Sequence, residues 1–411
     1  METPRRTGVE TVAKVELAVI GCGGIAGAHF RGWKAIHEKE PDLVEIVATC
    51  DGFRPAAERY ADQVAEFQGT RPQVFDSVAA MVRTGRIQAA DVCTPHHLHH
   101  RVALECIDAG VAVQVEKPSG LTVKATKRMI EAAGARDVIL ATAENVRRGP
   151  SQRTAWWLLN ESGLLGRAQG FFIQQVRYET PADPTQAPNW HWRADRTLSA
   201  GGWVVDSGAH FMDTIRYLYG DVESVYGRVE QLRPHPMNRQ GLRAFDEQED
   251  YFTATLNFAS GVIGQWSRAS TFPGHDWVQC AIYATGGAIV DPSGDVFHGP
   301  HGRAEVRRRG QETQTLDQLY PTFLETLSPE RRERLFPHGF TDGFTLECYD
   351  FAQAVATGRP VEVTAEVGLK AKAIAFAIYE SAATGQTVRV EDVLSGKVEV
   401  YQRWLNEKWG I

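Results

Sequence analysis

Lys117 closes an apolar run, GVAVQVEKPSG (110–120), and is followed at once by Pro118. The residues before it read as a buried strand and the proline pins the turn after it, so the amine is aimed rather than left to sweep through solvent. Asp206 and His210 stand four residues apart in GGWVVDSGAHFMD (201–213). That stretch reads as part of a helix over 204–220, where a spacing of four puts both side chains on one face. An amine, a carboxylate and an imidazole brought together can handle a proton on a substrate oxygen. Histidines as a class titrate near neutrality, which makes His210 the better base. Lys117 can donate to the same oxygen and stabilise charge developing there, while Asp206 orients either partner or takes a neighbouring hydroxyl. The bland alternative is an ordinary Asp–His pair on a solvated helix face.

A second group concerns a nucleotide. GCGGIA (21–26) lies between a predicted strand, VELAVI, and a predicted helix, GIAGAHFRGWKAIHEKE. It fits the dinucleotide fingerprint as Gly21-x-Gly23-x-x-Ala26, with Gly24 and Ile25 inside the turn. Gly21 permits the tight turn, Gly23 admits the pyrophosphate to the backbone, and Ala26 is small enough for close helix–strand packing. The strand–turn–helix context gives the glycines their meaning. Asp51 ends the second predicted strand, LVEIVATCD, where an acid accepts the ribose hydroxyls. Its charge repels the extra 2′-phosphate of NADP, so NAD is the expected cofactor. Arg54, three residues on, is the one feature that favours NADP; its other reading is a solvated residue at a helix start.

The run CTPHHLHHR (93–101) ends another predicted strand and holds His96, His97, His99 and His100. Imidazoles suggest zinc, but no carboxylate lies within the run to complete a tetrahedron, and no metal is expected. Thr94 and Pro95 form the turn and His96 and His99 open a helix beneath the cofactor. Glu116 and Lys117 close the neighbouring strand at the same edge, and all six are expected at the cofactor.

These residues need a frame. Strands and helices alternate through residue 143, the pattern of a doubly wound parallel sheet of Rossmann type. From residue 144 the chain changes to alternating β-rich segments such as AQGFFIQQVRYE, DYFTATLNFA and WVQCAIYATGGAIV. They predict an α+β domain with a large, open, mainly antiparallel sheet. The division expected is a disordered leader (1–14), a dinucleotide-binding domain (15–143) and a substrate-binding and oligomerisation domain (144–411) with an insertion over 291–340. A chain of 411 residues is long for one core, which agrees with two domains. A net charge of −7 gives no reason to expect nucleic acid or an anionic membrane. No apolar run has the length to span a bilayer and the leader lacks the apolar segment of a secretory signal. Six cysteines without paired spacing point to free thiols in a reducing cytoplasm.

GCGGIAGAH, CDGFRPAAERYA, TPHHLHHRVALECIDAGVAVQVEKP and GGWVVDSGAHFMD resemble, in this order, the motifs of the glucose–fructose oxidoreductase / inositol dehydrogenase (Gfo/Idh/MocA) family. AVATGRPVEVTAEVGLKAKAIAFAIYESAATGQTV resembles its C-terminal helices, so the resemblance runs through almost the whole chain. It implies an NAD(P)-dependent oxidoreductase acting on a sugar, polyol or cyclitol carbon, with catalysis at Lys117, Asp206 and His210, and a Lys117–Pro118 peptide that is often cis.

The remaining candidates line the substrate. NWHWRADRTLSAGGW (189–203) offers Trp190, His191, Trp192 and Arg193, flat faces and donors suited to a sugar ring or simply packing anchors. Tyr178 precedes that loop, and HGFTDGF (338–344) could bring His338 to the site. Three functional readings stay open: a dehydrogenase or reductase that releases its cofactor, an enzyme that retains NAD and uses transient oxidation to drive elimination or hydrolysis of a glycoside, and a non-enzymatic dinucleotide sensor. The proton-handling residues speak against the sensor. A sheet with apolar side chains on both faces, as in FFIQQV, predicts burial of the open face in a homodimer or homotetramer.

Overall fold

Six short strands build the first sheet: β1 (Val15–Ile20), β2 (Val44–Cys50), β3 (Gln73–Phe75), β4 (Ala89–Val92), β5 (Ala112–Glu116) and β6 (Leu140–Ala143). In this computed structural model, which describes residues 14–179, 191–240, 242–292 and 299–411, they run in the order β3-β2-β1-β4-β5-β6 with every neighbouring pair parallel. Helices α1 (Ala26–Lys39), α2 (Arg54–Gln68), α3 (Val78–Val82), α4 (His96–Asp108) and α5 (Val123–Arg136) alternate with the strands. Helices on both faces leave the central strands no contact with water, so β4 and β5 are buried at every residue. The sequence order reverses between β1 and β4, which opens the crevice where such sheets bind ligands.

The second part begins with α6 (Pro150–Asn160), β7 (Ala168–Val176), α7 (Arg196–Ser199) and α8 (Gly208–Tyr219). Next come β8 (Val222–Glu230), a separate hairpin of β9 (Pro236–Arg239) and β10 (Leu242–Phe245), then β11 (Tyr251–Phe258), β12 (Ile263–Ala269), β13 (Trp277–Ala284), β14 (Gly287–Asp291), β15 (Glu305–Arg308) and β16 (Gln314–Thr315). Helices α9 (Leu316–Glu325), α10 (Pro329–Leu335), α11 (Gly343–Thr357) and α12 (Ala365–Thr384) follow, and β17 (Val388–Arg389), α13 (Val390–Ser395) and α14 (Arg403–Trp409) end the chain. Among the described residues nine strands form one sheet, β16-β15-β14-β13-β7-β12-β11-β8-β17. Its pairs are antiparallel except for β7 with β12.

One face of this sheet carries the core. Phe171, Ile173, Leu256 and Trp266 point into it and meet Phe211 and Met212 of α8 and Phe376 and Ile378 of α12. Strand alternation sends Phe172, Tyr226, Ile263, Trp277 and Tyr283 to the other face, where each is 40% exposed or more. The 291–340 stretch adds β15 and β16 to the sheet edge and lays α9 on α6, with Phe323 against Trp157. Helix α11 returns to the first sheet: Cys348, Phe351 and Ala352 share a core with Leu17, Trp33 and Ile36. Among the described residues no helix is long and apolar enough to cross a membrane. All six cysteines are free and buried. Most of the leader and Trp190 lie outside the described residues.

Candidate active site

Five strands of the first sheet deliver a chemically significant residue at their carboxyl ends. Gly21 follows β1, Asp51 follows β2, Thr94 lies just past β4, Lys117 follows β5 and Glu144 follows β6. Gly21 has φ +86°, and a Cβ there would lie 2.7 Å from the Cys93 backbone carbon, so both conformation and space require glycine. At Gly23 and Gly24 a Cβ would meet nothing within 4 Å, which leaves open space over the start of α1. No side chain caps α1 and no acid stands in its first turn, so its amides and dipole remain available to phosphates. Asp51 accepts from the Cys22 and Phe53 amides, each at 2.8 Å, which fixes the carboxylate at the mouth of the glycine turn. Arg54 instead pairs with Glu58 in an exposed contact at 3.0 Å. The Thr94 hydroxyl is buried without a hydrogen-bond partner where the nicotinamide half of a dinucleotide would run. These residues fit NAD.

The Lys117–Pro118 peptide is cis. From it the Lys117 ammonium donates to Asp206 Oδ1 and to the Asp206 carbonyl, both at 3.0 Å. Asp206 Oδ2 accepts from Arg193 Nε at 2.8 Å, and His96 Nε2 lies 3.5 Å from Oδ1. Burial disfavours the charged carboxylate, but Lys117, His96 and Arg193 together hold it well below the usual range. His96 Nδ1 faces the Ser199 carbonyl at 3.0 Å, and its ring meets the Trp192 indole edge-on at 4.7 Å between centroids. The Arg193 guanidinium lies over the Trp192 ring at 4.4 Å. The 191–199 segment therefore folds onto the site through Trp192 and Arg193.

His210 is held separately. Its Nδ1 meets both oxygens of Glu144, at 2.8 and 3.0 Å. A donor bond from Nδ1 fixes the tautomer, which leaves Nε2 as the proton acceptor. Burial raises the pKa of Glu144, yet His210, the Val146 amide and the nearby Lys117 charge bring it down to about 2. Glu144 thus links the two halves of the site electrostatically. Glu144 was not among the residues expected from the sequence, although an acid directly after the last parallel strand, in ATAE, was the available signal.

The structure places several of the expected residues differently. Helix α8 starts at Gly208 rather than 204, so Asp206 sits in the turn before it. Asp206 and His210 are therefore not neighbours on one helix face; they reach the site from a turn and a helix and serve different partners. Glu116 turns away from the cofactor crevice and accepts from His29 Nε2 at 3.2 Å, inside a buried cluster with Asp91. The alternation of β5 decides this, because adjacent residues point to opposite faces. His99 is also closed off, its ring nitrogens facing the Pro118 and Thr94 carbonyls at 3.1 and 2.6 Å. His338 lies with Glu40, at the end of α1, and Tyr349, away from Lys117. Tyr178 is exposed, with the Arg233 guanidinium 5.2 Å over its ring and its amide donating to Asp276. Two buried triads, His29–Asp91–Cys93 and His29–Glu116–Glu347, have metal-like spacing. The Asp91 and Glu116 carboxylates in them are already hydrogen bonded to His29.

Comparison with known proteins agrees with this architecture. Residues 15–144 match the oxidoreductase family's NAD-binding Rossmann fold, and residues 173–390 its C-terminal alpha/beta domain. Levoglucosan dehydrogenase of Pseudarthrobacter phenanthrenivorans is 26% identical over 323 residues, 75% of this chain and 81% of that protein. The 1,5-anhydro-D-fructose reductase of Ensifer adhaerens is 26% identical over 373 residues, 91% of this chain and 98% of that protein. Among solved structures, a levoglucosan dehydrogenase in complex with NADH and L-sorbose superposes with a TM-score of 0.72 at 23% identity, over 92% of this chain and 99% of that one. With both family domains present in order around one dinucleotide crevice, this chain belongs to the Gfo/Idh/MocA family of NAD(P)-dependent oxidoreductases.

Proposed function

We propose that the chain transfers a hydride between a secondary alcohol of a sugar, glycoside or cyclitol and NAD, with Lys117, Asp206 and His210 as the proton-handling residues. The contact that carries this reading is the Lys117–Asp206 pair at the carboxyl edge of the cofactor sheet. A bound nicotinamide supplies hydride acceptance there. His210, with Nδ1 on Glu144, takes the hydroxyl proton at Nε2. Lys117 donates to the same oxygen and stabilises the charge that develops on it. Asp206 holds the ammonium in place, while Trp192 and Arg193 offer a flat face and a donor to the ring. The relatives named above are dehydrogenases and reductases of carbohydrate derivatives, which supports a substrate of that class. The Asp51 carboxylate, beside an Arg54 already paired with Glu58, supports NAD over NADP.

The test is the absorbance of the purified protein over the nicotinamide band, followed by NAD⁺ reduction across sugars, inositols and glycosides. Free NADH from one substrate class, lost in Lys117→Met, is the expected result. Protein that carries nicotinamide, ignores added NAD⁺ and still consumes a glycoside would replace this reading with transient oxidation. No turnover of any kind would favour a dinucleotide sensor.

The reading extends to assembly and setting. Phe172, Tyr226, Ile263, Trp277 and Tyr283 on the open sheet face support a homodimer or homotetramer of this chain. A single monomeric species at micromolar concentration in sedimentation would refute that. Six free, buried thiols support a reducing, cytoplasmic location.

A further inference from the structure

Lys372 is a buried lysine that the mechanism above does not use. It lies on α12, is 2% exposed, and points at the turn that follows Lys117. Its amine donates to the Ser119 and Gly120 carbonyls and reaches Thr126 Oγ1 at 2.8 Å. Two carbonyls and a hydroxyl satisfy the nitrogen in either protonation state, because the hydroxyl can accept from it or donate to it. Burial pushes its pKa well below that of an ordinary lysine. Burying an amine costs free energy that only well-made hydrogen bonds offset, and here all of them go to one turn. The space beside it, bounded by Lys117, Pro118, Glu144, Ala209 and Gly368, is a cavity of about 10 Å³, about the size of one water probe. The turn therefore has room for at most one water in place of the amine's hydrogen bonds.

We infer that Lys372 is a positioning residue for Lys117, the part through which the second domain sets the geometry of the proposed catalytic amine. The inference rests on the catalytic reading of Lys117. The turn is gripped from its own domain as well: Thr126 donates to the Ser119 carbonyl, and His99 Nδ1 lies 3.1 Å from the Pro118 carbonyl. Lys372 grips it from α12, a helix that also touches the other carriers of the site. One turn earlier, Gly368 lies so close to Thr142 that a Cβ would overlap its hydroxyl, two residues before Glu144. Two turns later, the Tyr379 hydroxyl accepts from the Gly202 amide, in the segment that leads to Asp206. Positions 368, 372 and 379 fall on one helical face. A single rigid face thus registers the Lys117 turn, the Glu144 strand end and the Asp206 turn against one another.

The experiment compares full-length Lys372→Met, Lys372→Gln and Lys117→Met with the parent, all bound to NADH. Methionine keeps the length and removes the donors; glutamine restores one amide donor. Hydrogen exchange over residues 117–122 reads the anchoring and needs no substrate. Steady-state turnover of the best alcohol from the sugar and cyclitol panel reads the consequence. In Lys372→Met the amides of the turn should exchange at least tenfold faster, with residues 208–219 unchanged. Its kcat should fall at least tenfold at constant KM for NAD⁺, with Lys372→Gln between it and the parent. Unchanged exchange at the turn overturns the inference, as does a loosened turn with full kcat in a protein that Lys117→Met inactivates. Full turnover in Lys117→Met sinks the catalytic reading itself.

Discussion

Lys117 Nζ and Asp206 Oδ1 lie 3.0 Å apart across 89 residues of chain, and the second Asp206 oxygen is taken by Arg193 at 2.8 Å. The carboxylate is held charged between two cations, so the ammonium is fixed in direction as well as in place. Lys117→Met should lower kcat by about 10²- to 10⁴-fold, the usual contribution of a positioned proton donor. NAD⁺ affinity should stay near that of the parent, as a fluorescence titration with NADH would register. Asp206→Asn keeps a hydrogen-bond acceptor without its charge and should fall between the two.

Glu144 decides which nitrogen of His210 carries the proton. Glu144→Gln should reduce kcat at least about tenfold and up to about 10⁴-fold, the loss seen when a catalytic histidine is left in the wrong tautomer. Stability also changes with a definite sign. The folded-state pKa of Glu144, about 2, lies below that of a free glutamate. Its contribution is therefore complete above the unfolded pKa and lost as pH falls toward 2. Thermal melts of Glu144→Gln should accordingly lose less on acidification below pH 4.5 than melts of the parent.

Asp51 stands where the adenosine ribose of NAD would bind and also ties the Cys22 and Phe53 amides together. Asp51→Ala should raise KM for NAD⁺ about tenfold or more, since a hydrogen bond to a charged group is worth about 1.5–3 kcal/mol. The preference over NADP⁺ should narrow in the same variant. Initial rates with both cofactors test this, and a melting curve separates loss of affinity from loss of the turn.

The histidine-rich run has a measurable effect on acid stability. Burial lowers the pKa of His100 to about 4, with Lys372 and nearby arginines adding to the shift. A folded pKa below the unfolded one means that the native state resists protonation. Stability then falls as pH drops from about 6.5 to 4, by on the order of 3 kcal/mol for the full shift. His100→Gln should flatten the decline of Tm over that window. An unchanged slope would mean that His100 is protonated in the native state.

Much of the cofactor half could be read from the chain because its information is local. A strand, a glycine turn and a helix follow one another within about 25 residues, and each strand end falls where an apolar run stops. Gly21, Asp51, Thr94 and Lys117 occupy the expected edge for that reason. The proposed proton-handling half was less legible. Asp206 and His210 were identified by type, but their geometry depends on where α8 begins, and helix ends are set by tertiary contacts as much as by propensity. His338 was placed by its neighbours in sequence, while the packing of α11 on α1 carried it to Glu40 instead.

By itself the sequence determined the alternation of strands and helices around the first sheet, the glycine turn after β1, the acid after β2, and the residue types able to move a proton. All of these follow from periodicity and from chemistry within short windows. Only the tertiary structure decided that Glu144 orients His210, that Glu116 faces His29, and that Arg193 and Lys117 share Asp206. It alone decided that Lys372, more than 250 residues away, grips the turn beside Lys117. The physical reason is the same in each case. A hydrogen bond between distant residues is set by how whole helices and sheets pack, and no local pattern in the chain encodes that distance.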